Sequence, residues 1–189
     1  MKNIVIIGAG DLGKEVVWLI EDINKHHPTF LILGFLDDDQ DKLGGEFYGY
    51  KVLGTIGQLE EIRKKTPFSA VIAIQDGSVR RKIAEDHRGF EEWESIIHPT
   101  AVIAGTSSLG KGSIVFPQVT VSVDTELGDI VLLYIHSTVC NDCRIGSYVS
   151  VMTGALVSER AIVGEACFLE AGTCVQPRET LNARSAAEV

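Results

Sequence analysis

Three short stretches carry residue types that could do chemistry. Gly8-Ala9-Gly10-Asp11-Leu12-Gly13 has the spacing of a turn that brings backbone close to a phosphate. Asp37, Asp38 and Asp39 follow about a β-α unit later, where a carboxylate meets ribose or base hydroxyls; Asp39 also suits a turn cap. Farther on, Cys140-Asn141-Asp142-Cys143 sets a carboxylate between two thiols. That C-x-x-C spacing suggests zinc or redox work, but no second ligand pair or thioredoxin-like context accompanies it. The four cysteines read better as small apolar filler, and no metal is expected.

The glycine turn needs a strand before it and a helix after it. Residues 3–8, Asn-Ile-Val-Ile-Ile-Gly, read as a buried parallel strand, and apolar residues recur at helical spacing from Leu12 to about Lys25. The helix start offers free N–H groups and a positive dipole end to an anion. A second strand, Phe30 to Phe35, delivers the three aspartates; a polar glycine-rich connection (Gly44, Gly45, Gly49) then leads to a helix about Ile56 to Lys65. A strand Ser69 to Ile74, a helix about Val79 to His87 and a strand about Trp93 to Ile97 complete four strands and three helices. No second mononucleotide-binding half follows, so NAD(P) fits poorly and a nucleotide or nucleotide-sugar fits better; the bland alternative is a turn shaped for packing. Lys14 and Lys2 are the nearest cations, and both also read as plain surface lysines.

From Ile103 to Leu181 every sixth residue is aliphatic, through 14 positions without a miss. Two residues before nearly every one stands a small or β-branched residue, and Gly110, Gly128, Gly146 and Gly164 recur at a spacing of 18. Six within eighteen describes a triangular parallel β-solenoid: one short strand and one corner per six residues, three units per coil. Strand alternation points both residue classes inward, and the glycines are expected at corners that need positive φ. The chain thus divides into an α/β Rossmann-like domain, 1–96, and an all-β solenoid domain, 97–189, with His98-Pro99 marking the entry.

A net charge of −9 argues against general nucleic-acid binding, which needs a basic surface. The N-terminal apolar run is too short for a signal peptide and no later run reaches membrane-spanning length. The expectation is a soluble, cytoplasmic protein with no membrane partner.

Ile6-Ile7-Gly8-Ala9-Gly10 with Gly13-Lys14-Glu15-Val16, Gly34-Phe35-Leu36-Asp37-Asp38-Asp39, Val52-Leu53-Gly54, Ile97-His98-Pro99-Thr100-Ala101 and the hexapeptide array together resemble the NeuD/PglD-like acyltransferases. These acetylate sialic acids or amino groups of nucleotide-activated sugars in surface glycan biosynthesis. The resemblance implies a left-handed parallel β-helix and a homotrimer with acetyl-CoA in clefts between neighbouring helices. It also implies a nucleotide-sugar held by the N-terminal domain, with Gly8, Gly10, Asp11, Asp37 and Asp38 as the contacts carried over.

In that family a histidine removes the acceptor's proton and an adjacent carboxylate orients it. The usual Val-Asp-His-Asp-Cys reads here Val139-Cys140-Asn141-Asp142-Cys143: Asp142 is present, and Asn141 replaces the base. An amide cannot accept that proton. A second histidine of the family is Ser150, and a glycine that admits acetyl-CoA is Glu159, one coil above Asn141; both fall in the cofactor-binding set. Tyr134 stands at a position often asparagine and reads as packing. Candidates for the missing base are His136, acting across a trimer interface, and Asp142 itself, if burial raises its pKa. The register fades at Ala187, which reads as a shortened C-terminal array or a last coil completed by a neighbour. Two functions follow: an acetyl-CoA-dependent acetyltransferase, or a trimeric pseudo-transferase that binds a sugar nucleotide without turnover.

Overall fold

A computed structural model of the chain describes residues 1–182. Residue-residue contacts divide it into two units: Met1–Ile74 with Ile83–Glu94, and Gln75–Lys82 with the chain from Ser95 onward. The boundary thus lies two residues before the expected one, and a segment from within the first domain's sequence joins the second.

In the first unit β1 (Lys2–Ile7) leads through the glycine turn into α1 (Asp11–His26), followed by β2 (Phe30–Leu36), β3 (Glu46–Phe47), β4 (Tyr50–Gly54), a 3-10 turn (Ile56–Gln58), α2 (Leu59–Lys65) and β5 (Ser69–Ile72). The sheet runs β3-β4-β2-β1-β5, parallel except for the β3–β4 hairpin. β1 lies between β2 and β5, and Ile4 to Ile7 are fully buried, as a continuous apolar run requires. Val16, Val17, Leu19 and Ile20 cover it from α1.

Two expected elements differ. The glycine-rich connection folds as the β3–β4 hairpin, because Tyr48 and Gly49 both take positive φ (48° and 81°), the geometry of a tight two-residue turn. The expected strand Trp93–Ile97 is split. Trp93 bridges to Ala70 at the edge of the sheet, whereas β6 (Ile96–Ile97) pairs with Ile114–Val115 and opens the solenoid.

α3 (Gly77–Asp86) follows β5, and its residues up to Lys82 belong to the second unit. There the solenoid is a left-handed parallel β-helix of three five-stranded faces. The first runs from β6 through Ile114–Val115, Leu132–Leu133 and Ser150–Val151 to Phe168–Leu169. The second runs from Val102–Ile103 to Cys174–Val175, and the third from Ser108–Leu109 to Thr180–Leu181. Every pairing offset is 18 residues, one coil. The inward positions are closed: Val115, Leu133, Val139, Val151 and Val157 have no exposed surface, nor do Ser113, Thr125, Ser137 and Cys143 in the small register. Each buried aliphatic contributes about 1.5–3 kcal/mol against the ordering of its coil.

The recurring glycines have a different cause from the one expected. Twelve consecutive corners from Gly112 to Arg178 carry positive φ at six-residue spacing, nine of them on non-glycine residues such as Gln118, His136, Asp142 and Arg160. Gly110, Gly128 and Gly146 are not among them. A Cβ there would lie 2.4 Å from Gly128 O, 2.6 Å from Ser147 N and 2.7 Å from Glu165 N respectively, so glycine is required for coil-on-coil approach. Ala187, where the register is expected to fade, lies outside the described residues.

Candidate functional site

In the first unit the glycines of the turn do separate jobs. Gly8 sits at φ +104°, with Ala73 O 2.8 Å from where a Cβ would be; at Gly13 a Cβ would strike Gly8 O at 2.3 Å, so its absence lets α1 close on the turn. Gly10 faces open space, and no side chain caps α1, which leaves its first-turn N–H groups without a side-chain acceptor. Asp37 stitches the turn to the end of β2: its carboxylate accepts the Ala9 N–H at 2.6 Å and the Asp39 N–H at 2.9 Å. Asp38 accepts the Ile56 N–H at 2.9 Å, and Asp39 caps Asp41 N–H at 3.1 Å. That backbone bond, with Lys42 alongside, holds the Asp39 carboxyl below its usual range. Lys42, which sequence reasoning missed, lies 3.5 Å from Asp37 and 3.3 Å from Asp39. Asp11 is exposed and pairs with Lys14 at 3.0 Å; Lys14 also lies over the Phe47 ring, and Lys2 pairs with Glu94. Gly8, Gly10, Asp11 and Asp37 therefore do meet around one turn, with Asp38 tied to the loop beside it.

In the second unit Asn141 and Asp142 form the turn between strands Thr138–Val139 and Arg144–Ile145. Asp142 takes the left-handed conformation (φ 59°) and its N–H bonds Val123 O one coil below. The Asn141 Nδ2 donates to Asp142 Oδ2 at 2.7 Å; since a carboxylate only accepts, this fixes which amide atom is which. One coil above, Arg160 donates its N–H to Asn141 O at 3.0 Å and brings its Nε to 3.6 Å from Asp142 Oδ2. Glu159 follows the same stacking, accepting the Arg178 N–H at 3.0 Å. Burial first, then the charge of Glu159, pushes the Cys140 thiol up, so Cys140 is no thiolate nucleophile. Cys143 faces inward, its Sγ donating to Ser158 O at 3.1 Å. Tyr134 packs on Phe116 one coil below, ring centroids 4.5 Å apart.

His136 stands on the preceding corner, exposed, with a strand between it and Asn141. Ser150 has no exposed surface; its hydroxyl donates to Gln75 O at 2.7 Å and accepts from Arg80 Nη2 at 3.1 Å. The sequence places Ser150 beside the cofactor, and the structure gives it these partners within the fold. Arg80 was not foreseen. It is 1% exposed, and its guanidinium also donates to Ile130 O (3.1 Å), Gln75 O (2.7 Å), Tyr148 O (2.6 Å) and Val149 O (3.1 Å). Burial pulls its pKa down to about 10. The available signal was its position three residues before Ile83 on one helix face. Among the described residues no group of three His, Cys, Asp or Glu side chains could hold a metal ion, and no helix is long and apolar enough to cross a membrane.

Residues 3–87 match the family model of the PglD N-terminal domain. A UDP-N-acetylbacillosamine N-acetyltransferase of Bacillus subtilis (strain 168) is 31% identical over 116 residues, which are 60% of this chain and 51% of that protein. The chain thus spans about half the length of this curated relative. The acetyltransferase domain of PglB from Neisseria gonorrhoeae FA1090, in complex with acetyl coenzyme A, is 27% identical with a TM-score of 0.84, over 96% of this chain and 85% of that one. These likenesses are to PglD-type proteins. A GDP-perosamine N-acetyltransferase of Caulobacter crescentus in which one histidine is replaced by alanine is 26% identical to this chain, with a TM-score of 0.86 over 97% of it and 84% of that structure. That variant is in complex with CoA and GDP-perosamine.

Proposed function

We propose that the chain is an acetyl-CoA-dependent acetyltransferase for a nucleotide-activated amino sugar or sialic acid in surface glycan biosynthesis. It works in the cytoplasm as a homotrimer with acetyl-CoA between neighbouring β-helices. The observation that carries this reading is the likeness, over 96% of the chain, to an acetyltransferase domain in complex with acetyl coenzyme A. The nucleotide lies along Gly8, Gly10 and Asp11, its phosphates on the uncapped start of α1, with Asp37 and Asp38 toward the ribose and base. The Asn141–Asp142 corner faces the acceptor, Glu159 lies at the cofactor above it, and Ser150 backs the cofactor cleft through its coil. His136 comes to the site from a neighbouring copy. No metal takes part.

One observation favours a second reading, a pseudo-transferase that binds without turnover: Asn141 offers no basic atom where the family has its histidine. A calorimetric titration with acetyl-CoA tests the first reading without a guess about the acceptor. Micromolar binding at one site per protomer is the expected result. No detectable binding removes the transferase reading and leaves a sugar-nucleotide binder or scaffold.

A further inference from the structure

A cavity of about 330 Å³ opens in the first unit where β1 and β5 begin, with Lys2, Asn3, Arg63, Pro67, Ser69 and Glu92 in its lining. β1 runs six residues from there to the glycine turn, so at about 3.3 Å per residue the cavity lies roughly 20 Å from that turn. Its walls carry charge in matched pairs. Ala70 of β5 gives its N–H to Glu92 O and accepts the N–H of Glu94, so the two glutamates flank the Trp93 bridge and strand alternation puts them on one side. Glu92 pairs with Arg63 from the last turn of α2, and Glu94 with Lys2 from the start of β1. Arg63 also lies over the Phe90 ring, 5.3 Å from its centroid, which holds the guanidinium in place. Its Nη2 meets Glu92, and its Nε is buried with no hydrogen-bond partner among the described residues. Asn3 donates its Nδ2 to Pro67 O at 3.1 Å, which turns its Oδ1 into the free acceptor of that amide. Ser69, buried at the start of β5, adds a hydroxyl.

Size and charge together select a ligand. Sites for small molecules run from about 300 to 1,000 Å³, so this one suits a small metabolite and is too small for a nucleotide-sugar. Arg63 and Lys2 attract a carboxylate, which the planar guanidinium matches in shape. Glu92 and the Asn3 oxygen only accept, so they call for a donor on the same molecule. The Arg63 and Glu92 side chains are 30% and 41% exposed; solvent screens that pair, and a ligand's two charges can insert beside it at little cost. We propose that this cavity binds a free amino acid, its carboxylate on Arg63 and Lys2 and its ammonium on Glu92. A zwitterion leaves every charge matched, whereas a simple anion faces Glu92 as a like charge and a simple cation faces Arg63. Pro67 and Phe68 border the ligand's apolar part. This site is separate from the transferase reading and does not rest on it.

The test is calorimetric titration of the whole protein with each proteinogenic amino acid, then with the two single-charge counterparts of the tightest binder; for L-alanine these are propionate and ethylamine. At least one amino acid should bind one to one with a Kd of about 1 mM or tighter, and its counterparts at least about 10-fold more weakly. Arg63→Gln and Glu92→Gln should each weaken binding by at least about 10-fold while the acetyl-CoA titration matches the parent's. Melting curves establish that both variants fold, and the comparison of ligands on the parent protein stands without them. If no amino acid binds more tightly than about 10 mM, the proposal is overturned. Propionate or its equivalent binding as tightly as the amino acid overturns it in favour of a plain anion site. Binding that survives both substitutions lies elsewhere on the molecule and overturns it too.

Discussion

Replacing Arg80 by methionine tests how the segment Gln75–Lys82 is held in the second unit. Burial pulls its pKa down to about 10, well below the ordinary guanidinium range, which places the cost of burying the charge at about 3 kcal/mol. Against that stand its bonds to four carbonyls and the Ser150 hydroxyl. Bonds from a charged donor contribute about 1.5–3 kcal/mol each, so even at the low end the set outweighs the desolvation. Methionine keeps most of the stem's volume and removes the donors, leaving buried carbonyls against an apolar chain. The expected loss is about 3–5 kcal/mol, as when one side of a buried charged interaction is removed. For a chain of this size that lowers the melting temperature by about 6–20 °C. Guanidinium and thermal unfolding followed by circular dichroism measure it, with Arg80→Lys as the intermediate case that keeps charge without the planar fork. A methionine variant within about 1 kcal/mol of the parent would falsify the assignment of these bonds as the segment's anchor.

Other outcomes follow from single observations. The Ser137 hydroxyl is buried with no hydrogen-bond partner among the described residues, so Ser137→Ala should raise the denaturation midpoint, by about 1 kcal/mol of stability. Gly128→Ala puts a Cβ against the Ser147 backbone and should cost about 1–3 kcal/mol, whereas Gly105→Ala, in open space, should stay within about 0.5 kcal/mol in the same unfolding assay. A thiol reagent at pH 8 should modify exposed Cys174 first and Cys140 slowly. Cys143 and Cys167, whose thiols burial pushes up, should react only on unfolding; mass spectrometry of the labelled peptides decides. Asp142→Asn breaks a half-exposed pair with Arg160 and should shift the melting curve by under about 1 kcal/mol of stability, because solvent screens that pair.

The solenoid was legible because its burial rule repeats: each inward position recurs at six and eighteen, so local noise averages out. The hairpin was not, since Tyr48 at positive φ breaks the residue preference that marks such a turn and its strands are polar on one side. Trp93 and Ile96 look like one strand because both are buried apolar residues, yet they pair with different sheets. At the site, the glycine turn and aspartates follow from local chemistry, and the Asn141–Asp142 corner from family resemblance. Arg80 and Ser150 were illegible for a different reason. Apart from the bond between Arg80 and Gln75, their partners lie 50 to 75 residues away, and nothing in a helix pattern distinguishes an arginine facing carbonyls from one facing water.

The ladder of left-handed corners bears on how such a site changes over time. Glutamine, aspartate, isoleucine, histidine, tyrosine, arginine and alanine all occupy the same backbone conformation here, so stacked strands impose the bend and the side chain is incidental to it. A reactive group mounted beside such a bend can be exchanged without renegotiating the architecture. Asn141 sits beside one of these bends, the one at Asp142. Selection can therefore tune, silence or restore the chemistry by single substitutions while the scaffold persists unchanged.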